Sequence, residues 1–206
     1  MIIELLTPDA SWSVLPREFP TPDGLDHDEW IGAVSALYAG SPAGSAAADA
    51  GELRELFDAA RGQILPGDLH TLLFRPLEVP AIAIIHVEVL ASDAVDSRSL
   101  DWALIPTVDL ALPPIVEDVE SPELGRGRKG AFIVADRFAD DVTAGGLSYA
   151  FPTRHGVVHV FSSPSTPTII GLLEAELDEI VNTIRIRESP AGQTADEEPR
   201  TEDSTR

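Results

Sequence analysis

Two histidine pairs have the residue types and spacing of reactive groups. His86 and Glu88 are two apart within the apolar run 81–90. On a strand, alternate side chains share a face, so the pair has the makings of a general base and its orienting carboxylate. No nucleophile or third group falls beside them in sequence, and the bland alternative is the wet edge of a sheet face. His155 and His159 are four apart, as in a helical zinc motif, but Gly156-Val157-Val158 between them reads as strand. There the spacing is about 13 Å at roughly 3.3 Å per residue, whereas one tetrahedral zinc needs ligands at about 2 Å. The expectation is no metal and no other cofactor.

Two charged runs complete the candidates. Asp26-His27-Asp28-Glu29 resembles an acidic ligand cluster, yet acidic groups at a helix start are favoured by capping and by the helix dipole. Gly125-Arg126-Gly127-Arg128-Lys129-Gly130 is the one basic cluster, with flexible glycines that could cradle a phosphate or an acidic peptide. The phosphate-loop pattern is missing, since no Gly-Lys-Ser/Thr follows. A solvated turn is the bland reading; Arg126, Arg128 and Lys129 are the candidate binding residues. No Gly-x-Ser-x-Gly elbow and no Gly-x-Gly-x-x-Gly after a strand occurs. With no site assembled, the expectation is that the protein is not an enzyme.

Charge narrows the partners. The chain has 206 residues, 35 acidic against 14 basic, for a net charge of −21. Such a surface repels phosphate backbones and anionic lipid, so the expected partner is a protein and not nucleic acid. There is no cysteine, which excludes disulfides and thiolate chemistry. The N-terminus shows no signal-peptide pattern, and no apolar run approaches the ~18–20 residues that cross a bilayer, so no membrane insertion and a cytoplasmic location are expected.

The elements that must position these residues follow from periodicity and punctuation. Residues 2–6 and 11–15 read as short strands between prolines. A helix is expected over 26–39, with Asp26 and Glu29 as a capping box and Trp30, Ile31, Val34, Leu37 and Tyr38 as its apolar stripe. After a loop at 40–45, a second helix over 47–61 turns Leu53, Leu56, Phe57 and Ala60 inward. Residues 70–77 and 81–90 read as strands separated by Glu78-Val79-Pro80. On the second, Ala83, Ile85, Val87 and Val89 form the cleaner core face. Residues 101–105, 115–119 and 131–138 are further strand candidates, the last approached through the glycine-basic turn at 125–130. Asp140, Asp141, Gly145 and Gly146 turn the chain into the next run.

The stretch 147–187 is the clearest. Strands at 147–151 and 157–161 flank Pro152 to Gly156, and Ser162-Ser163-Pro164-Ser165-Thr166-Pro167 stops the sheet. A helix over 167–184 then begins with Thr166 as cap and Pro167 in its first turn. Its inward stripe is Ile170, Leu173, Leu177, Ile180, Val181 and Ile184, with Glu174, Asp178 and Glu179 outward. Burying those six side chains contributes on the order of 10 kcal/mol before entropy, at roughly 1.5–3 each. Residues 189–206 lack apolar periodicity and read as a disordered acidic tail.

Three segments carry a family resemblance: Leu147-Ser148-Tyr149-Ala150-Phe151-Pro152, then Val157 to Pro164, then Leu177-Asp178-Glu179-Ile180-Val181-Asn182-Thr183-Ile184-Arg185. With the upstream stretch 119–128, they resemble the PsbP-like α+β fold of actinobacterial proteins of unknown role. The resemblance covers about a third of the chain and rests on packing and turn signatures. It implies a binding or assembly module, and it brings no catalytic residue with it. The expectation is one α+β domain over 1–188, a twisted antiparallel sheet covered by the C-terminal helix and two N-terminal helices. The function expected first is a non-enzymatic protein-binding or assembly module. An acidic immunity protein against a basic toxin comes second, and a small hydrolase using His86 or His159 third.

Overall fold

Alternation along the longer strands gives this protein a sheet with two differently furnished faces. The structure, a computed structural model, describes residues 1–39, 50–76, 81–91, 100–135 and 144–188. One antiparallel sheet contains β2 (Trp12–Val14), β3 (His70–Phe74), β4 (Ala83–Leu90), β5 (Ile115–Ser121), β6 (Gly125–Val134), β7 (Ala144–Thr153) and β8 (Gly156–Ser162). Its spatial order is β2-β3-β4-β8-β7-β6-β5. The terminal strands β1 (Ile2–Glu4) and β9 (Arg185–Arg187) pair separately. The helices are α1 (His27–Ala39), α2 (Ala50–Arg61), α3 (Asp101–Leu104) and α4 (Pro167–Thr183). Helices cover a sheet whose strand pairs are all antiparallel among the described residues, so the fold is α+β, as its sequence pattern predicts.

The helix α4 covers one face. Leu72, Phe74, Ile85, Val87, Val158, Val160, Leu147, Tyr149 and Phe151 meet Leu173, Leu177, Ile180, Val181 and Ile184 there in one cluster. Thr166 caps α4 by accepting from the Ile169 N–H, and Pro167 fills the first turn. The other face carries two smaller clusters. Near β3 and β4, Leu73 and Ile84 pack with Trp30, Ile31, Val34 and Tyr38 of α1 and Leu53, Phe57 and Ala60 of α2. Over β7 and β8, Ala150 and Val157 pack with Leu100 and Leu104. The three longer helices therefore do cover the sheet, from opposite sides. The capping box forms as read: Glu29 N–H donates to Asp26 Oδ1 at 2.9 Å and Asp26 N–H to Glu29 Oε2 at 3.0 Å.

Several local readings are corrected. Residues 101–105 are not a strand: Asp101–Leu104 is a helical turn, placing Leu100 and Leu104 on one side against Ala150. The stretch 125–130 is not a turn but the first part of β6, paired with β5 from Ser121↔Gly125 to Ile115↔Ala131. Gly127 serves packing, since a Cβ there would lie 2.3 Å from the Phe151 ring and 2.6 Å from the Ala150 carbonyl oxygen, whereas Gly125 takes the positive φ that opens the strand. Leu37 leaves the α1 stripe and is 63% exposed. The strand at 70–77 ends at Phe74 and that at 81–90 starts at Ala83. The 40–45 loop, the start of the second helix at 47, Leu77 to Pro80, the end of the 131–138 strand, Asp140, Asp141 and the 189–206 tail lie outside the described residues.

Candidate functional site

Between the two apolar clusters of the second face runs a buried polar seam. Strand register builds it: His86 of β4 opposes Phe161 of β8, Glu88 opposes His159, and Ser148 of β7 opposes Phe161 from the other side. Antiparallel partners share a face, so all five side chains project together. Phe161 lies between the imidazoles, its ring centroid 4.8 Å from that of His86 and 4.6 Å from that of His159, with interplanar angles of 22° and 19°.

Each imidazole is the middle of an acid–histidine–serine row. Asp68 Oδ2 lies 2.8 Å from His86 Nδ1, and His86 Nε2 lies 3.0 Å from Ser163 Oγ. Glu88 Oε1 lies 2.9 Å from His159 Nδ1, and His159 Nε2 lies 2.9 Å from Ser148 Oγ. The His86 and Glu88 considered together in the sequence thus belong to different rows. Asp68 is further committed, because the same Oδ2 accepts from the Thr71 hydroxyl at 2.6 Å and the Leu65 N–H at 2.9 Å. Asp68, Thr71, His86, Ser148 and His159 are all buried.

These rows have the order of groups that activates a serine, so the decisive question is what surrounds the serines. Ser148 is buried, and its hydroxyl also lies 3.3 Å from the Ala103 carbonyl oxygen as donor. Ser163 is half-buried at the end of β8, but its own N–H donates to Ile84 O at 2.8 Å. The next residue is Pro164, which has no N–H. Acyl-transfer sites take at least one oxyanion donor from the nucleophile's own N–H or the one after it; here the first is spent on the sheet and the second does not exist. Burial also holds the His159 imidazole below its ordinary range, with Glu88 opposing that shift only in part. A neutral ring that donates from Nδ1 to Glu88 accepts at Nε2 only if the Ser148 hydroxyl turns its one proton from the Ala103 carbonyl to the imidazole, which completes the row without a buried cation. The seam is built as a buried polar network, satisfied except at Asp68 Oδ1, that links the strands and ties α3 and residues 65–71 to the sheet.

The candidate residues Arg126, Arg128 and Lys129 are not brought together. Alternation along β6 sends Arg128 to the seam side, where it pairs with Asp101 and, at 3.5 Å, with Asp118. Lys129 points the other way and is buried under α4. Its Nζ lies 2.8 Å from Glu174, 3.2 Å from Asp178 and 3.7 Å from Glu117, and 5.5 Å from the Tyr149 ring centroid. Burial opposes the lysine charge, yet the hydrogen bonds it donates to Glu174 and Asp178, with their negative charge, outweigh burial and raise the ammonium above its usual range. Tyr149 donates to Asp178 Oδ1 at 2.6 Å, and burial together with that carboxylate pushes the phenol far up. Arg126 is exposed, opposite Glu120. The helix positions Glu174 and Asp178, read as an outer face, are the clamp on the single lysine.

Beside this clamp opens a pocket of about 290 Å³ between α4 and the β5–β6 hairpin, lined among others by Glu117, Val119, Glu120, Lys129, Phe151 and Asp178. His155 is exposed at the β7–β8 turn and His159 is held by Glu88, so they share no site. Among the described residues no group of three or more His, Asp or Glu side chains is disposed to hold a metal ion, and no helix is long and apolar enough to cross a membrane. Sequence reasoning missed Asp68, Ser148 and Ser163; the matching parity of His86 on one apolar strand and of His159 and Phe161 on another was the available signal. No protein-family model matches the chain, and no curated protein matches it in sequence.

Proposed function

We propose that this chain is a non-enzymatic protein-binding or assembly module, acting in the cytoplasm on a basic protein partner. The observation that carries the reading is how the charges are spent. Arg54 is paired to Asp28, Arg128 to Asp101, Lys129 to three carboxylates, Arg154 to Glu188 and Arg187 to Glu4. Arg17 and Arg61 are turned onto backbone carbonyls of Leu65, Asp68 and Pro16. Among the described residues few cations are thus left without a carboxylate or carbonyl partner, and an excess of 35 acidic over 14 basic residues makes a surface that steers basic partners and repels polyanions. The PsbP-like resemblance of the C-terminal half supports the same reading as analogy of fold.

An immunity or inhibitor protein that neutralises a basic toxin is the same chemistry with a different partner, and the partner's identity separates the two. A hydrolase is the second class, favoured by one observation, the Asp68–His86–Ser163 row. The spent Ser163 N–H and the absent N–H at Pro164 weigh against it. Incubation with a fluorophosphonate probe tests this directly: the binding-module reading expects no labelling of Ser163 or Ser148, and labelling lost in His86→Ala would move the assignment to a hydrolase. Affinity capture from the source lysate at low and moderate salt, followed by titration of the purified partner, tests the binding reading itself.

A further inference from the structure

We infer that the free edge of β5, with the pocket behind it, is the docking site for an extended arginine- or lysine-rich segment of the partner, which adds to the sheet as a further strand. The inference rests on the binding-module reading above and gives it a place on the molecule.

Three observations converge on this edge. First, β5 is last in the spatial order, so among the described residues no strand pairs with its outer side, and such an edge offers backbone N–H and C=O groups to an added strand. The line continues toward Leu110, which bridges to Val134 of β6, so the edge is longer than β5 alone. An extended peptide uses such an edge through main-chain hydrogen bonds and takes specificity from pockets for alternate side chains. Second, a pocket of about 290 Å³ stands beside alternate positions of β5, with Glu117 and Val119 in its wall. Third, the charge there is one-sided. Glu117, Glu174 and Asp178 are three carboxylates around the single ammonium of Lys129, a net of −2, Glu120 also lines the pocket, and Asp118 adds a further exposed carboxylate on the opposite face.

Charge also decides between occupants. A second copy pairing through the same edge would bring Glu117, Asp118 and Glu120 beside the same three carboxylates of the other strand, and like charges across a strand pair are destabilising. A basic strand finds the opposite situation. One arginine or lysine would lay its aliphatic stem over Val119 and Phe151 and leave its head among Glu117, Glu120 and Asp178. Ile115, 70% exposed, and Leu112, 58% exposed, offer apolar contact where the edge begins. Lys129 does not compete, because its three carboxylate partners already fix it beneath the pocket.

The test is amide chemical-shift mapping of the isotope-labelled full chain. The probe is a capped nine-residue peptide alternating arginine and valine, with a glutamate-for-arginine peptide as control. The expected result is shifts confined to residues 115–121 and 178–182 with the arginine peptide only. Glu117→Lys/Glu120→Lys should weaken binding at least tenfold, while Glu52→Lys/Glu55→Lys on exposed positions of α2, the same change in net charge, stays within twofold. Glu120→Lys alone, which leaves the Lys129 clamp intact, serves where the double variant does not fold. Shifts scattered over the surface, equal losses in both double variants, or no shift at all overturn the inference. The two levels of the account fail separately. Capture of a basic partner that survives Glu117→Lys/Glu120→Lys removes the site and keeps the binding-module reading, whereas no partner at any salt removes that reading.

Discussion

Asp68→Ala tests whether the acid–histidine–serine rows hold the fold together. Asp68 Oδ2 is the common acceptor for three donors: His86 Nδ1, the Thr71 hydroxyl and the Leu65 N–H. Truncation leaves all three without it. Leu65 lies in an exposed loop, so its amide can turn to water, but His86 and Thr71 are each 2% exposed and cannot. A buried donor left unsatisfied costs about 1–3 kcal/mol, so two such donors give about 2–6. Asp68 Oδ1 has no partner of its own, and deleting it returns part of that cost, which brings the expected loss to about 2–4 kcal/mol. Asp68→Asn keeps a carbonyl oxygen for the same donors and should lose only about 1 kcal/mol. The assay is urea unfolding followed by circular dichroism, with unchanged slope as the sign that the loss is one of native stability. With total stabilities of about 5–15 kcal/mol, both variants should remain folded at 25 °C. An Asp68→Ala loss below about 1 kcal/mol, or equal losses for alanine and asparagine, would refute the reasoning, because the seam would then not be the buried network described.

Further expectations follow from the core, the backbone and the titrating groups. Leu177→Ala, at a fully buried position in the α4 cluster, should cost about 2–5 kcal/mol in the same assay. Gly156→Ala should be far more costly than Gly24→Ala: both have positive φ, but a Cβ at Gly156 would meet the Leu90 carbonyl oxygen at 2.4 Å while one at Gly24 meets nothing within 4 Å. The His159 imidazole is held below its ordinary value of 6.5, so between those two values the unfolded chain binds more protons and stability must fall as pH drops below about 6.5. His159→Gln should flatten that part of a stability–pH curve, and an unchanged slope would contradict the assignment. At alkaline pH the raised Tyr149 phenol and Lys129 ammonium keep protons that the unfolded chain releases, so stability is lost above about 10. Tyr149→Phe should reduce that loss.

What was legible in the sequence was local. The capping box of Asp26 and Glu29 and the Thr166-Pro167 helix start use partners within three residues, and they form as read. The two-residue period of β4 correctly divides Ile85 and Val87 from His86 and Glu88. Local pattern misled where neighbours in space decide. A glycine-basic run reads as a turn until Phe151 and Ala150 are seen to need the room that Gly127 leaves. Residues 101–105 have the composition of a strand, and only their position over Ala150 makes a helical turn the better burial of Leu100 and Leu104. The seam was illegible for the same reason, since His86 meets Asp68 from 18 residues away and Ser163 from 77. Once the register is known the rows follow; without it, five histidines present many pairings and no ground for choosing among them.

The most direct test of the binding-module reading is the salt dependence of affinity between the full chain and its purified captured partner, measured by titration calorimetry. The Debye length is about 8 Å at 0.15 M salt and about 3 Å at 1 M, so a complex held by this acidic surface must weaken steeply as salt rises. The expected result is a stoichiometric complex with a basic protein whose dissociation constant rises by an order of magnitude or more across that range, with heat from partner binding and none from turnover. A partner that is acidic or neutral, or an affinity unmoved by salt, would contradict it.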